Sequence, residues 1–187
     1  YMFHTPNIRR TALQAEAAGL PLVEVETEGE EETELGDLTT AIRYAVEHFG
    51  IEGIVTGAIL SVYQATRVQR ICHELGLWCF NPLWHVGQET YMEELIGAGF
   101  EVIIAGVFSA PFDETWLGRT IDREMLCELK SIAGRWRITL TGEGGELETF
   151  VLDAPFFNSR IEVSRAHTAY KNHHGRYLID EAVLVAK

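Results

Sequence analysis

Basic residues are scarce in this chain. Fifteen lysines and arginines face 28 aspartates and glutamates in 187 residues, a formal charge of −13. Nucleic-acid binding needs a basic stripe that displaces counterions from phosphates, so that class of partner is excluded. Long apolar runs are absent as well. None approaches the ~20 residues that cross a bilayer, and no signal-peptide pattern opens the chain, so no membrane association is expected. Cysteine is limited to Cys72, Cys79 and Cys127, an odd number with no CxxC pair. That usage points to reduced thiols in a cytoplasmic protein rather than to disulfides or zinc. Cys72 and Cys127 fall on apolar helical patterns and read as small core residues. Metal-ligand spacing is missing too. His48, His73 and His167 have no partner at ligand distance in sequence, and the adjacent His173 and His174 would point apart.

What the chain does have is alternation. Helical periodicity over 6–20 ends near Gly19 and is followed by a strand-like PLVEVET at 21–27. Seven glutamates between Glu24 and Glu34 read as a solvated acidic loop. A helix at 35–49 stops at Gly50, and the apolar, β-branched IEGIVTGAIL (51–60) has the character of a strand covered on both faces. A helix at 62–75, a short strand at 77–80, a helix at 88–98 and the strand FEVIIAGVF follow. Strand–helix repeats of this spacing predict an α/β fold, an open parallel sheet with covering helices over residues 1–110. After Ala110 a helix at 121–133 is followed by strands at 135–141, 146–153, 158–165 and 176–186. This second region, 111–187, is therefore expected to be α+β. Open parallel sheets bind ligands at the carboxyl ends of their strands, which directs attention to Gly57–Ser61 and to Gly106.

Two stretches there carry chemistry. In TGAILSVYQATRVQRIC, Ser61 and Gln64 fit a capping box for the helix that follows. Gly57 and Ala58 are small where the strand ends, which lets a ligand approach the backbone. Arg67 lies where a cation opposes the helix dipole, so it calls for an anionic partner, either a surface glutamate or a substrate carboxylate or phosphate. The second stretch, TGEGGELETFVLD (141–153), sets Glu143, Glu146 and Glu148 around consecutive glycines. Glu146 and Glu148 are two apart and share one face of the expected strand. The residues alone leave two readings open. One is an anion nest with carboxylates that hold a cation or a basic group; the other is an exposed hairpin whose charges protect a sheet edge.

The stretch GEGGELETFVLDAPFF resembles the GEGGE-x-ET signature of the diphthine–ammonia ligase (diphthamide synthetase) family, ATP pyrophosphatase relatives with the adenine nucleotide alpha hydrolase-like (HUP) fold. FHTPNI (3–8), QAEAAGLPL (14–22), GAILSVYQATRVQRICHELGL (57–77), NPLW (81–84) and WLGRTID (116–122) fall in the family's order. The resemblance covers essentially the whole chain. It departs at one point: the family's PP-loop, S-G-G-K-D-S, and the strand before it have no counterpart here. The activity it implies is accordingly expected of an intact protein, and the chain by itself is expected not to turn over ATP.

The resemblance implies an ATP- and Mg²⁺-dependent ligase that amidates diphthine, a modified histidine of elongation factor 2, with ammonium. An acyl-adenylate would form with loss of pyrophosphate, and ammonia would then displace AMP to give diphthamide. It implies catalytic roles for Glu143, Glu146 and Glu148, which would attract ammonium and take its proton, with Gly144 and Gly145 shaping the loop. Gly57, Ala58 and Ile59 would flank the nucleotide. Ser61, Tyr63, Gln64, Arg67, His4 and Asn7 would line the substrate side. No resident metal site in the protein itself is implied. Trp84, Trp116 and Arg119 are family-motif positions that serve either packing or substrate contact. Two alternatives remain: a related ATP pyrophosphatase acting on another acid, and a non-catalytic binding protein that lost its PP-loop. Oligomeric state is open, a homo-oligomer included.

Overall fold

The computed structural model describes residues 6–27 and 33–187. Residues 22–86 form one compact unit, and residues 6–21 with 87–187 form another. The architecture is mixed α/β: a small parallel sheet with helices in the first unit, and an antiparallel sheet with helices in the second.

In the first unit, α2 (Thr33–Phe49), β1 (Gly53–Val55), α3 (Val62–Leu75) and β2 (Trp78–Phe80) follow in order, and β1 pairs parallel with β2. Helix α3 starts where its sequence says it should, because Ser61 Oγ accepts the Gln64 N–H at 3.3 Å. A serine cap of this kind contributes ~1 kcal/mol. The helix ends at Gly76, whose left-handed φ of 70° suits glycine. Ile54 and Cys79 turn one sheet face onto a core of Leu35, Ile42, Val68, Ile71 and Cys72. The opposite face carries Val55, Trp78 and Phe80, which stay 60%, 54% and 56% exposed. Segment 21–27, expected as a strand, adopts none, and residues 28–32 of the acidic stretch lie outside the described residues.

The cysteines divide by burial. Cys72 is buried as expected, but Cys127 is exposed, because the apolar stripe of its helix runs through Met125, Leu126 and Leu129 instead. Burial, reinforced by neighbouring Cys79, pushes the Cys72 thiol from 9.0 up to about 11. A timed alkylation at pH 8, read by mass spectrometry, should modify Cys127 first and Cys72 last. Cys72 should lag an ordinary cysteine by about a hundredfold from its smaller thiolate fraction alone.

The second unit contains α1 (Thr11–Ala18), α4 (Gln88–Gly97), β3 (Glu101–Val107), α5 (Arg123–Ala133), β4 (Leu147–Asp153), β5 (Ser159–Lys171) and β6 (His174–Ala186). Its strands lie in the order β4-β3-β6-β5, all neighbours antiparallel. Strand β3 therefore belongs here and not to the parallel sheet in which its apolar run suggested a place. The change of grammar near residue 110 falls inside this unit. Strand β3 is buried because each face meets a core, Val102, Ile104 and Val107 on one side and Ile103 and Ala105 on the other. Strands β5 and β6 form a long hairpin closed by Asn172 and His173, both with positive φ (51° and 61°). Two successive positive φ values are the twist that a tight hairpin turn requires.

The WLGRTID stretch is explained by packing. Residues 118–121 run beside β3, with Ile104 N donating to Arg119 O at 2.9 Å and Ile121 N to Val102 O at 2.7 Å. Trp116 enters the core, and Gly118 has φ 78° beneath the Tyr177 ring, where a Cβ would lie 2.7 Å from a ring carbon. Arg119 forms a two-pronged pair with Glu128 at 2.7 and 3.0 Å, and Asp122 caps α5 through Met125 N at 2.8 Å.

Candidate functional site

The acidic loop is not a hairpin turn. Residues 135–141, expected as a strand, have no ladder partner. Two of their N–H groups go to side chains: Thr139 N donates to Glu146 Oε1 at 2.8 Å, and Leu140 N to Gln88 Oε1 at 2.7 Å. Thr139 Oγ1 also donates to Glu146 Oε2 at 3.0 Å and accepts from Gly144 N at 3.3 Å. Glu146 is only 8% exposed. A buried carboxylate is stable only when hydrogen-bonded, and this one is held at both oxygens. Its position makes it the brace of the loop. Gly144 is needed beside it, since a Cβ there would lie 2.5 Å from Glu146 Oε1.

Glu148 occupies β4 directly across from Gly106 of β3 and is half-buried. Phe108 N donates to Glu146 O at 2.9 Å, so the loop is tied to the end of β3. Glu143 lies toward α4: burial first, and then the Glu143 charge, push the Tyr91 phenol above its usual range. Among the described residues, no group of three His, Cys, Asp or Glu side chains is placed to hold a metal ion.

The expected nucleotide and substrate residues lie in the first unit, after β1. A Cβ on Gly57 would meet nothing within 4 Å, so open space fronts that backbone. Ala58 and Ile59 are buried behind it. Thr56 and Asn81, one at the carboxyl end of each parallel strand, are joined by a hydrogen bond from the threonine hydroxyl to Asn81 Oδ1. Arg67 lies over the ring of Tyr63, one turn earlier on α3, 3.4 Å from its centroid. That cation–π contact offsets part of the unfavourable dipole. Ser61 caps the helix through the Gln64 N–H, as described.

Asn7 has a structural task in the second unit: its Nδ2 donates to Tyr177 O at 2.9 Å and its Oδ1 accepts from Ile179 N at 2.8 Å. His4 lies outside the described residues. The supports Thr139, Gln88 and Tyr91 had no signal in the sequence, because a threonine in an alternating run reads as strand.

The second unit thus presents, in a mixed α/β chain, a glycine-rich loop at a strand end that is braced by a buried carboxylate. Comparison with known proteins narrows the class. Residues 1–79 match the model of the diphthamide synthase N-terminal domain, and residues 87–185 match that of the diphthamide synthase C-terminal domain. The chain belongs to the diphthamide synthase family. It is 35% identical over 175 residues to the diphthine–ammonia ligase of Rattus norvegicus, with 87% of this chain and 65% of the relative covered. Over 180 residues it is 32% identical to the Danio rerio diphthine–ammonia ligase, covering 90% of this chain and 70% of that protein. With the Schizosaccharomyces pombe diphthine–ammonia ligase it shares 37% identity over 132 residues, 70% of this chain and 22% of the relative. The chain thus spans about 65% of the rat relative's length.

Proposed function

We propose that the full-length protein is an ATP-dependent ligase that amidates diphthine on elongation factor 2 with ammonium, releasing AMP and pyrophosphate. Support comes chiefly from one observation, the acidic loop built around a braced Glu146 in a chain of this family. A carboxylate is a poor acyl donor. Attack of one of its oxygens on the α-phosphorus of ATP expels pyrophosphate and gives an acyl-adenylate. Ammonia then adds to the acyl carbon, and AMP leaves.

The residues divide this work. Ammonia exists mostly as ammonium at neutral pH, so the second step needs negative charge to concentrate the cation and an acceptor for its proton. Glu148 and Glu143 serve there, while Glu146 holds the loop in shape with Gly144 and Gly145. Gly57, backed by the buried Ala58 and Ile59, borders the nucleotide. Ser61, Tyr63, Gln64 and Arg67 lie on the substrate side, with the arginine opposing charge build-up on phosphorus. Mg²⁺ would accompany ATP.

Radiolabelled ATP offered to the full-length protein should yield AMP only when the diphthine form of elongation factor 2 and ammonium are both present. AMP formation that ignores either co-substrate would overturn this reading.

A further inference from the structure

The inference here rests on the function just proposed and deepens it. The register of the antiparallel sheet places Gly106 of β3 opposite Glu148 of β4 and opposite Arg176 of β6. Cross-strand partners point to the same face of a sheet. A bulge at Ala105, between Ile104 and Gly106, resets the alternation. Val107 and Leu147 therefore stay in the core, while Glu148, Gly106 and Arg176 form a row on the other face. Bulges re-aim side chains in this way beside functional sites.

Gly106 leaves a gap in the middle of that row, and Phe108 fills it. A Cβ at position 106 would lie 2.6 Å from the Phe108 ring, so only glycine admits the ring there. The guanidinium carbon of Arg176 lies 5.8 Å from the ring centroid, and His174 meets the same ring edge-on at 6.4 Å. Arg176 is exposed and has no ion-pair partner among the described residues. One end of the sheet thus sets Glu148 on one side of an aromatic floor and Arg176 on the other.

That polarity answers a difficulty in the chemistry. A glutamate that favours ammonium repels an acid substrate, so the acid needs a cation on the same face as Glu148. A planar guanidinium steadied by an aromatic ring suits paired oxygens. We propose that Arg176, supported by Phe108 over Gly106, is a substrate-binding residue that takes the carboxylate of the acid to be amidated. Phosphate oxygens of the nucleotide are the other source of the same chemistry.

Steady-state kinetics on the full-length protein separate them. Arg176→Gln should raise KM for the acid substrate ~10- to 100-fold, the scale of a lost charge-assisted hydrogen bond, and leave KM for ATP within about twofold. Arg176→Lys should restore part of the affinity, since it keeps the charge and loses the fork. Phe108→Leu should fall between wild type and Arg176→Gln. An unchanged KM for the acid in Arg176→Gln would overturn the proposal. So would a rise confined to ATP, which would give the arginine to the nucleotide. An inactive wild type overturns the proposed function and this inference together, whereas an active wild type with an indifferent Arg176→Gln overturns the inference alone.

Discussion

Glu148→Gln in the full-length protein should lower amide formation by roughly 10²-fold or more, the scale of a lost general base. Stability should change by less than ~1 kcal/mol, because the glutamine is isosteric and the site half-open. Glu146→Gln should behave in the opposite manner. Its carboxylate is buried and receives both the N–H and the hydroxyl of Thr139. An amide there would set its NH₂ against the Thr139 hydroxyl, which already accepts from Gly144 N and would have to give up its own donated bond, at a cost of about 1–3 kcal/mol. Its activity loss should therefore follow loosening of the loop and be partly relieved at low temperature. Denaturant midpoints and turnover measured on both variants decide the assignment. Full turnover in Glu148→Gln would remove the carboxylate from the chemistry and leave the loop a purely structural device.

Gly142→Ala should be the most destabilising single change in the loop, on the order of 3 kcal/mol. Gly142 has φ 75°, and a Cβ there would lie 2.6 Å from Leu147 O, a backbone atom that cannot swing away. Gly145→Ala is the comparison: φ is 79°, yet nothing lies within 4 Å of the added atom. It should cost only the left-handed penalty of ~1–2 kcal/mol. Gly144→Ala has no left-handed penalty but would displace the Glu146 carboxylate, and should resemble Glu146→Gln. Chemical denaturation of the three variants should give that ranking, with Gly142→Ala at the bottom. Equal losses at Gly142 and Gly145 would show that the contact with Leu147 O does not shape the loop.

The helices were legible because each announces itself locally. Ser61 and Gly76 bracket α3, and apolar spacing runs through Ala65, Val68 and Cys72 between them. The sheets were less so. An apolar run such as EVIIAGV says only that both faces are covered, and β3 meets that condition in an antiparallel sheet between two cores. The run RWRITLT alternates like a strand, but Thr139 and Leu140 donate to the side chains of Glu146 and Gln88. Those partners are fixed by tertiary structure and leave no trace in local pattern. The β5–β6 turn was located only within the gap between the strands expected at 158–165 and 176–186, because Asn172-His173 lacks the glycine that marks such turns. At the site, the acidic loop was visible as a composition. The division of labour within it was not, since burial of Glu146 depends on where residue 139 lies.

Val55, Trp78 and Phe80, on the uncovered face of the parallel pair, have a colloidal consequence. An apolar strip of this sort, beside strand edges that have no partner among the described residues, attracts its own kind. Mutual repulsion of molecules that each carry a formal charge of −13 opposes that attraction. That repulsion reaches only about 8 Å at physiological ionic strength and about 3 Å in molar salt. Salt therefore acts on this molecule as a destabiliser of the dispersion: each increment thins the barrier while leaving the adhesive strip unchanged.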